Sequence, residues 1–338
     1  MKISKFGGED ALIRLIRDSY SAAPNAELTL SVGDDAALID IGGKLLVVTT
    51  DLLIENTHFR MDINEPYLLG WKSAAVNISD VAAMGGEPTY SFVSIGLPDI
   101  DVETVKKIYE GLADANAAFG SAVAGGDTAL CEEGIVINVT QLGVVEPELA
   151  ARRSGAKAGD AIIVTNTLGD SLAGLQLLLK LGLEQARRAS AYCVEKHLKP
   201  EPRVAEARAA VRTGKVHAMM DISDGLAADL PRLCAASNVG ARVWAQAMPL
   251  SSDLYIAAAR LDAEPVELAA AGGEDYELLI TCSREDAAVV IQAIETAGSR
   301  ASIIGETTTD PKVRLVMPDG TETNLPKGWE HFQTGAQP

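Results

Sequence analysis

The stretch Lys72-Ser-Ala-Ala-Val-Asn-Ile-Ser-Asp-Val-Ala-Ala-Met-Gly-Gly-Glu-Pro88 decides how this chain folds. It is apolar on nearly every helical face, which predicts a buried helix whose alanines let neighbouring backbones approach closely. The glycine pair and the proline after it predict where the helix ends. Asn77 and Asp80 lie three residues apart on one face of it. A buried carboxylate must be paired, hydrogen-bonded or bound to a metal, so Asp80 is either a cap or core ion pair, or a ligand.

Length and composition predict a globular protein of two domains. The chain has 338 residues, which is more than one compact core usually holds. Hydrophobic residues make up 47% of it, as is typical of a globular protein. It has no run of 18 apolar residues, and its N-terminus lacks an apolar signal region, so we expect a cytoplasmic protein. The four cysteines form no C-x-x-C pair. Neither a zinc site nor a disulfide framework is indicated, and free thiols fit a reducing compartment.

The net charge of −18 argues against nucleic acid or an anionic membrane as the main partner. Phosphorylated small molecules stay possible, provided that divalent cations bridge the two sets of negative charge. The chain contains neither G-x-x-x-x-G-K-[ST] nor G-x-G-x-x-G, so neither standard glycine-rich phosphate cradle is predicted.

Acids beside glycine, serine or threonine recur along the chain, and oxygen ligands of this kind suit magnesium. The adjacent pair Asp34-Asp35 fits a tight turn as well as a cation site. A short motif also recurs, since Asn77-Ile-Ser-Asp80 resembles Asp221-Ile-Ser-Asp224. We therefore expect two acidic segments that face one site. The recurring acids are Asp34, Asp35, Asp51, Asp80, Asp127, Asp221 and Asp224.

The order of strand and helix patterns predicts an α/β (α+β) chain. Residues 1–149 should form a mixed sheet with helices, and residues 150–338 an α/β layered domain. A hairpin is expected at Gly42-Gly43, with its second strand ending at Asp51. A short strand is expected at 121–124, before Gly125-Gly126-Asp127-Thr128.

Together these motifs carry a family resemblance over essentially the whole chain. The sequence resembles the thiamine-monophosphate kinase family, within the superfamily of aminoimidazole ribonucleotide synthetase-like ATP enzymes. The matching stretches are Gly33-Asp-Asp-Ala-Ala37, Thr49-Thr-Asp51, Asn56-Thr-His-Phe59, 72–85, Gly125-Gly-Asp-Thr128, Arg153-Ser-Gly-Ala-Lys157, Gly159-Asp160, Asp221-Ile-Ser-Asp-Gly-Leu226, Gly272-Gly-Glu-Asp-Tyr-Glu-Leu278 and Gly328-Trp-Glu-His-Phe332.

The resemblance implies a homodimer that pairs through strands of its N-terminal domain. It also implies a reaction in which ATP and thiamine monophosphate give ADP and thiamine diphosphate, the final step of thiamine diphosphate biosynthesis. The implied ligands of several Mg²⁺ ions are Asp35, Thr49, Thr50, Asp51, Asp80, Asp127, Asp221 and Asp224. The implied ATP contacts are Tyr109, Gly126, Asp127, Arg153 and Ser223, and the implied thiamine contacts are His58, Glu274, and Trp329 or Phe332.

The chemistry of this reaction agrees with the residues present. The acceptor is itself a phosphate with a second pKa of about 6, so it is largely an anionic nucleophile and needs no single general base. Bound cations overcome the repulsion between two polyanions. An acid and an aromatic ring suit the flat, cationic thiazolium.

Other interpretations stay open at this stage. His58 fits a structural role, Glu274 fits a turn cap, and the two C-terminal aromatic residues fit anchors of the terminus. The chain could be another enzyme of the superfamily, such as selenophosphate synthetase or the hydrogenase-maturation dehydratase. However, its first cysteine is Cys131, and it ends in Gly-Ala-Gln-Pro rather than in a cysteine. A non-catalytic cation-binding or scaffold protein is the remaining alternative.

Overall fold

A computed structural model describes residues 3–6, 8–22 and 25–328. Its helices are α1 (Ile3–Phe6), α2 (Gly8–Tyr20), α3 (Pro66–Ala83), α4 (Val102–Ala118), α5 (Asp170–Leu181), α6 (Leu183–Ala189), α7 (Ala191–Leu198), α8 (Val204–Arg212), α9 (Leu226–Ser237), α10 (Ser252–Leu261), α11 (Pro265–Ala271) and α12 (Ala287–Ala297). Its strands are β1 (Leu28–Leu30), β2 (Ala37–Asp40), β3 (Leu45–Ile54), β4 (Glu87–Leu97), β5 (Ala122–Leu130), β6 (Val136–Val145), β7 (Ala161–Thr165), β8 (Val216–Ile222), β9 (Gly240–Trp244), β10 (Glu277–Cys282), β11 (Ala301–Thr308), β12 (Val313–Val316) and β13 (Glu322–Thr323).

The first sheet has six strands in the order β1-β2-β3-β6-β4-β5. Its pairs are antiparallel except β4 with β5, which is parallel and places β5 at an edge. Residues along β6 alternate between buried and half-buried, as expected for a sheet with one face on the core. Helices α3 and α4 pack against the inner face. The outer face exposes large apolar side chains, including Leu52, Tyr90 and Phe92.

The second sheet has seven strands in the order β13-β12-β9-β11-β7-β10-β8. Strands β12 and β9 pair in parallel, and the other pairs are antiparallel. Every residue of β7 and β10 is buried, because helices cover the sheet around them. The mixed α/β architecture predicted from the sequence is thus confirmed. The predicted division after residue 149 stays a prediction.

Helix α3 is the element that the rest of the chain packs around. It begins with Pro66 at its first turn, and Gly85, at φ +71°, follows its end in the left-handed conformation. Its side chains contribute to all four hydrophobic clusters of the described residues: Leu68 to one, Leu69 to the second, Ala82 to the third and Val81 to the fourth. Helix α3 therefore belongs to the cores of both halves of the molecule.

Two glycines set how closely α3 and α4 approach each other. A Cβ atom added at Gly70 would lie 1.8 Å from the carbonyl oxygen of Ile108, and one added at Gly111 would lie 1.9 Å from that of Tyr67. No side chain larger than hydrogen fits at such distances. The predicted close approach of backbones is correct, but at this crossing glycine rather than alanine permits it.

Two strands are longer than the sequence predicted. Strand β3 continues through Asp51 to Ile54, so Asp51 lies within the strand and not at its end. Strand β5 runs through Gly125–Thr128 to Leu130, where a short strand followed by a turn was expected. In both cases a neighbouring strand supplies hydrogen-bond partners that extend the pairing, β6 for β3 and β4 for β5. Within the described ranges, no helix combines the length and the apolar character that crossing a bilayer requires.

Candidate active site

Three carboxylates from distant parts of the chain converge beside α3. Asp35 comes from the loop before β2, Asp80 from the last turn of α3 and Asp221 from β8, and each offers an oxygen within 4.8 Å of the other two. Burial, together with the neighbouring negative charges, raises the pKa of Asp80 and of Asp221 well above the usual range. Such a cluster is costly unless a cation or protons neutralise it.

Hydroxyl groups orient two of the three carboxylates. Thr49 on β3 donates through Oγ1 to Asp80 Oδ2 at 2.6 Å, and Ser79 donates through Oγ to Asp221 Oδ2 at 2.5 Å. Asn77, one turn before Asp80, accepts from the backbone N–H of Asp51 at 2.9 Å. Asn77, Ser79 and Asp80 of the apolar helix α3 are therefore hydrogen-bonded to β3 and β8, the strands that carry Asp51 and Asp221.

The carboxylate cluster opens into a cavity of about 820 Å³ between the two halves of the molecule. Asp51 and Asp224 line it together with Asp80 and Asp221. Burial raises the pKa of Asp51 to about 6, and the charges of Asp224 and Asp35 add to the effect. Four acids that line one cavity favour a ligand that binds together with cations.

Arg153 supplies the positive charge next to the cluster. Its Nη2 lies 2.5 Å and its Nε 3.1 Å from Asp35 Oδ1, while its backbone N–H donates to Asp34. Burial works against the charged form, but Asp35 holds the pKa of Arg153 above its usual value. Asp35 Oδ2 is buried and has no hydrogen-bond partner among the described residues. One oxygen of Asp35 is thus paired and the other is available for a ligand.

The loop after β8 is fixed by Asp229, an acid that the sequence reasoning missed. Asp229 is fully buried, and its Oδ2 accepts the backbone N–H groups of Ser223 and Asp224 at 3.0 Å each. Arg232 pairs with Asp229 and Asp224 at once. Burial, followed by the Asp224 charge, raises the pKa of Asp229 to about 7. Its signal in the sequence was an acid in the first turn of α9, where it satisfies N–H groups.

Glu274 lies on the cavity wall in the loop between α11 and β10. Its carboxylate contacts Lys72 of α3 at 2.8 Å and His197 of α7 at 3.1 Å. Burial alone would raise the pKa of Glu274, but Lys72 and His197 lower it. His58 also lines the cavity, and its Nδ1 accepts the backbone N–H of Ile54 at 3.0 Å. Sequence reasoning assigned no role to Lys72 and missed His197, because no local motif links either of them to Glu274.

Seven of the predicted site residues that the structure describes do not line this cavity, although three of them, Asp35, Thr49 and Arg153, lie next to its carboxylates. The side chain of Thr50 lies on the outer face of the first sheet, bonded to Asn138 and Thr140, because neighbouring residues of a strand face opposite ways. Its side chain therefore points away from Thr49 and Asp51, and the role of Thr50 as a magnesium ligand stays a prediction. Tyr109 lies on α4, and Gly126 and Asp127 lie on the exposed edge strand β5. Trp329 and Phe332 lie outside the described residues.

The donor set fits a divalent cation that prefers oxygen. It combines clustered carboxylates with the unpartnered Oδ2 atom of Asp35, and it contains no thiolate or imidazole among the three converging residues. Magnesium uses one or two carboxylates together with water and substrate phosphates. The residues present therefore suit Mg²⁺ with a phosphate ligand.

Two family models cover most of the chain. Residues 33–145 match the N-terminal domain of AIR synthase related proteins, and residues 157–318 match the C-terminal domain. The hydrogenase maturation protein HypE of Escherichia coli is 22% identical at a TM-score of 0.69, which shows a shared fold alone.

Relatives that match over nearly their full length show which family of AIR synthase related proteins the chain belongs to. Thiamine-monophosphate kinase of Aquifex aeolicus is 34% identical over 96% of this chain and 98% of its own length. That of Bacillus subtilis is also 34% identical, over 91% of this chain and 95% of its own. A solved structure described as AaThiL complexed with AMPPCP and TMP superposes with a TM-score of 0.85 at 34% identity, covering 98% of this chain and 99% of that one. With these similarities added to the fold and the acidic cavity, the chain belongs to the thiamine-monophosphate kinase family.

Proposed function

We propose that this protein transfers the γ-phosphoryl group of ATP to thiamine monophosphate, giving ADP and thiamine diphosphate. The observation that carries the proposal is the convergence of Asp35 with Asp80 and Asp221, two acids that line the cavity, in a chain whose full-length relatives bear this activity in their name. A relative of the same fold has been solved with an ATP analogue and TMP. The cavity of about 820 Å³ falls within the usual volume range of small-molecule sites.

Several Mg²⁺ ions are part of the proposal. Asp35, Asp80 and Asp221 would hold them at the cluster, with Thr49, Asp51 and Asp224 beside it. When bound, magnesium neutralises phosphate charge, which lets two polyanionic substrates meet. The protein contributes the rigid placement of the Asp80 and Asp221 oxygens, since these two acids lie on a helix and a strand and each accepts a hydrogen bond from a neighbouring hydroxyl group.

The roles of the remaining residues follow from their position on the cavity. Ser223 lines the acidic end of the cavity and Arg153 contacts Asp35 next to that end, where we assign the ATP phosphates. His58 and Glu274 also line the cavity, and we assign them to the thiamine moiety. Trp329 or Phe332 stays a prediction for the aromatic contact. No general base is assigned, because the acceptor phosphate has a second pKa of about 6 and is already ionised at neutral pH.

We further propose a homodimer that forms through the first sheet. Its outer face exposes Leu52 (46%), Tyr90 (55%) and Phe92 (43%), an unusual set for a face left to solvent. Asp127 pairs with Ser94, Ser94 with Asn138 and Asn138 with Leu52, so Asp127 lies in register with this outer face. Thr50 projects from the same face. A second copy packed there would bring Thr50, Gly126 and Asp127 into an interface, which would explain why one chain keeps them outside its cavity.

A cytoplasmic location completes the proposal. The four cysteines are free thiols, and Cys193, Cys234 and Cys282 are buried. Burial raises the pKa of each of these three thiols to about 12, so they stay protonated at neutral pH and are unreactive as nucleophiles. Free, unreactive thiols are typical of proteins from a reducing compartment.

A coupled assay tests the activity directly. The protein is incubated with ATP and magnesium, and thiamine monophosphate, free thiamine or selenide is supplied as the acceptor. We expect ADP and thiamine diphosphate from thiamine monophosphate alone, and neither product with Asp80→Asn or with a chelator. Turnover with selenide, or none with any acceptor, would instead favour another superfamily activity or a scaffold protein.

A further inference from the structure

Lys72 is the largest fully buried side chain among the described residues, and the function proposed above gives it no role. It lies on α3, its side chain is 1% exposed, and its Nζ is 2.8 Å from each carboxylate oxygen of Glu274. Glu274 comes from the opposite half of the molecule. A lysine in an apolar helix is strongly disfavoured unless it is paired, so this contact is a built feature of the cavity wall.

His197 of α7 contacts the same carboxylate from another side. Its Nδ1 lies 3.1 Å from Glu274 Oε2 and 3.2 Å from Ser171 Oγ. Burial, followed by the charge of Lys72, lowers the pKa of His197 to about 3, so the ring is neutral at physiological pH. The imidazole therefore lies against the Glu274 carboxylate as a neutral polar group and adds no second positive charge there.

The backbone of the Glu274 loop is also constrained. Glu274 and Tyr276 have φ values of +62° and +50°, a conformation that side chains other than glycine rarely adopt. Their N–H groups donate to the carbonyl oxygens of Ser223 at 2.6 Å and Ile222 at 2.9 Å. Strained residues of this kind persist where the surroundings over-determine them, often at ligand sites. The loop therefore presents Glu274 in one orientation.

The contacts of Glu274 leave part of its carboxylate for a ligand. A carboxylate has about four lone-pair positions, of which Lys72 occupies two, one on each oxygen, while His197 lies beside Oε2. The side chain remains 28% exposed, on the cavity wall. The Glu274 carboxylate is thus an ionised and oriented hydrogen-bond acceptor. Lys72 already balances part of its charge, so Glu274 is not a free counter-ion for the ligand.

We propose that Lys72 is a positioning residue that determines substrate selectivity, because it holds Glu274 as the oriented acceptor for the thiamine end of the phosphoryl acceptor, which carries a cationic thiazolium ring and an aminopyrimidine ring. Lys72 itself does not touch the substrate. This inference rests on the proposed function, which it deepens by naming what fixes the acceptor subsite. Since the Lys72 contact joins α3 to the Glu274 loop, the subsite forms only when the two halves of the molecule are packed together.

The test compares Lys72→Met, Lys72→Arg, Glu274→Gln and the double variant Lys72→Met/Glu274→Gln, with the exposed Lys106→Met as the matched control. For Lys72→Met and Glu274→Gln we expect a KM for thiamine monophosphate at least about tenfold higher, while the KM for ATP changes less than about twofold. Lys72→Arg keeps the charge and should recover part of the loss. The double variant should be no worse than either single variant, because both changes remove the same oriented acceptor.

Melting temperatures separate positioning from simple stability. Lys72→Met leaves the partly buried Glu274 without its cation and should lower the melting temperature, whereas the double variant leaves no unpaired charge and should regain it. Recovery of the melting temperature without recovery of KM supports the inference. Recovery of both, or an unchanged KM in Lys72→Met, overturns it. Wild-type turnover is measured first: its absence overturns the proposed function, whereas active wild type with an unaffected Lys72→Met overturns this inference alone.

Discussion

Ser79 of α3 donates a hydrogen bond to Asp221 of β8 across 2.5 Å, which joins the two copies of the short motif that recurs in the sequence. The first copy, Asn77–Asp80, lies inside a helix, and the second, Asp221–Asp224, lies at a strand end and in the loop after it. The copies differ in backbone structure yet meet at one site. We infer that the two segments are similar because both supply hydroxyl and carboxylate oxygens to the same proposed cation site.

Replacing Asp80 by asparagine should separate activity from stability. Burial is the main cause of the raised pKa of Asp80, and the charges of Asp51, Asp221 and Asp35 raise it further. Asp80→Asn should lower kcat by orders of magnitude at saturating ATP and magnesium, yet raise the melting temperature in the absence of magnesium by removing like-charge repulsion. Steady-state kinetics and calorimetry check the two effects, and near-normal turnover would refute a role for Asp80 as a ligand.

The metal-free protein should lose stability as the pH rises from 5 to 8. The pKa of Asp51 is about 6 in the folded protein, above its unfolded value of 3.8. Asp34 and Asp229, each at about 7, shift in the same direction. The folded state therefore binds more protons than the unfolded state. The stability that this protonation contributes is complete at a pH below the pKa of these groups in the unfolded chain, and it is lost as the pH rises through their pKa in the folded protein. Each proton contributes a slope of about 1.4 kcal/mol per pH unit.

The measurement is the melting temperature against pH, for the wild type and Asp51→Asn. The asparagine variant should show a shallower decline between pH 5 and 6.5, and saturating magnesium should flatten the wild-type curve. His197, with its pKa lowered to about 3, acts in the opposite direction below pH 6.5, but equally in both proteins. Parallel curves for the two proteins would show that Asp51 does not titrate as stated.

Helix α3 should not tolerate a methyl group where it crosses α4. A Cβ atom at Gly70 would lie 1.8 Å from a carbonyl oxygen of α4 and one at Gly111 would lie 1.9 Å from one of α3, so Gly70→Ala and Gly111→Ala must push the helices apart. Each should cost about 1 to 3 kcal/mol of unfolding free energy, or more. Ala113→Ser adds one atom on the exposed face of α4 and should change stability by less than about 0.5 kcal/mol. Urea denaturation compares the three, and equal midpoints would contradict the close crossing.

Mixing two inactive variants tests whether a second chain completes the site. Asp80→Asn and Asp127→Asn homodimers should each be nearly inactive. If Asp127 acts on the site of the other chain, mixed dimers contain one intact site, and co-expression should restore about a quarter of wild-type activity. Light scattering first establishes that the protein is a dimer. No restored activity, with mixed dimers demonstrated, would place Asp127 in the site of its own chain or outside any site.

The sequence by itself determined the local features. Apolar residues around the whole of α3 predicted a buried helix, the glycines after it predicted its end, and the acids beside small residues predicted a cation site, because each feature depends on a few neighbouring residues. The motifs in their order also predicted the family. Local patterns did not predict that β3 passes through Asp51 or that β5 runs to Leu130, because a partner strand decides how far pairing extends.

Only the tertiary structure decided which side chains share the site. Thr49 faces Asp80 while Thr50 faces away, since the pleat of β3 assigns them to opposite faces once the sheet packs on α3. Lys72 and Glu274 are 202 residues apart and carry no joint signal in a single sequence. They meet because α3 packs against both halves of the molecule, and a buried ammonium is stable only where that packing supplies a carboxylate.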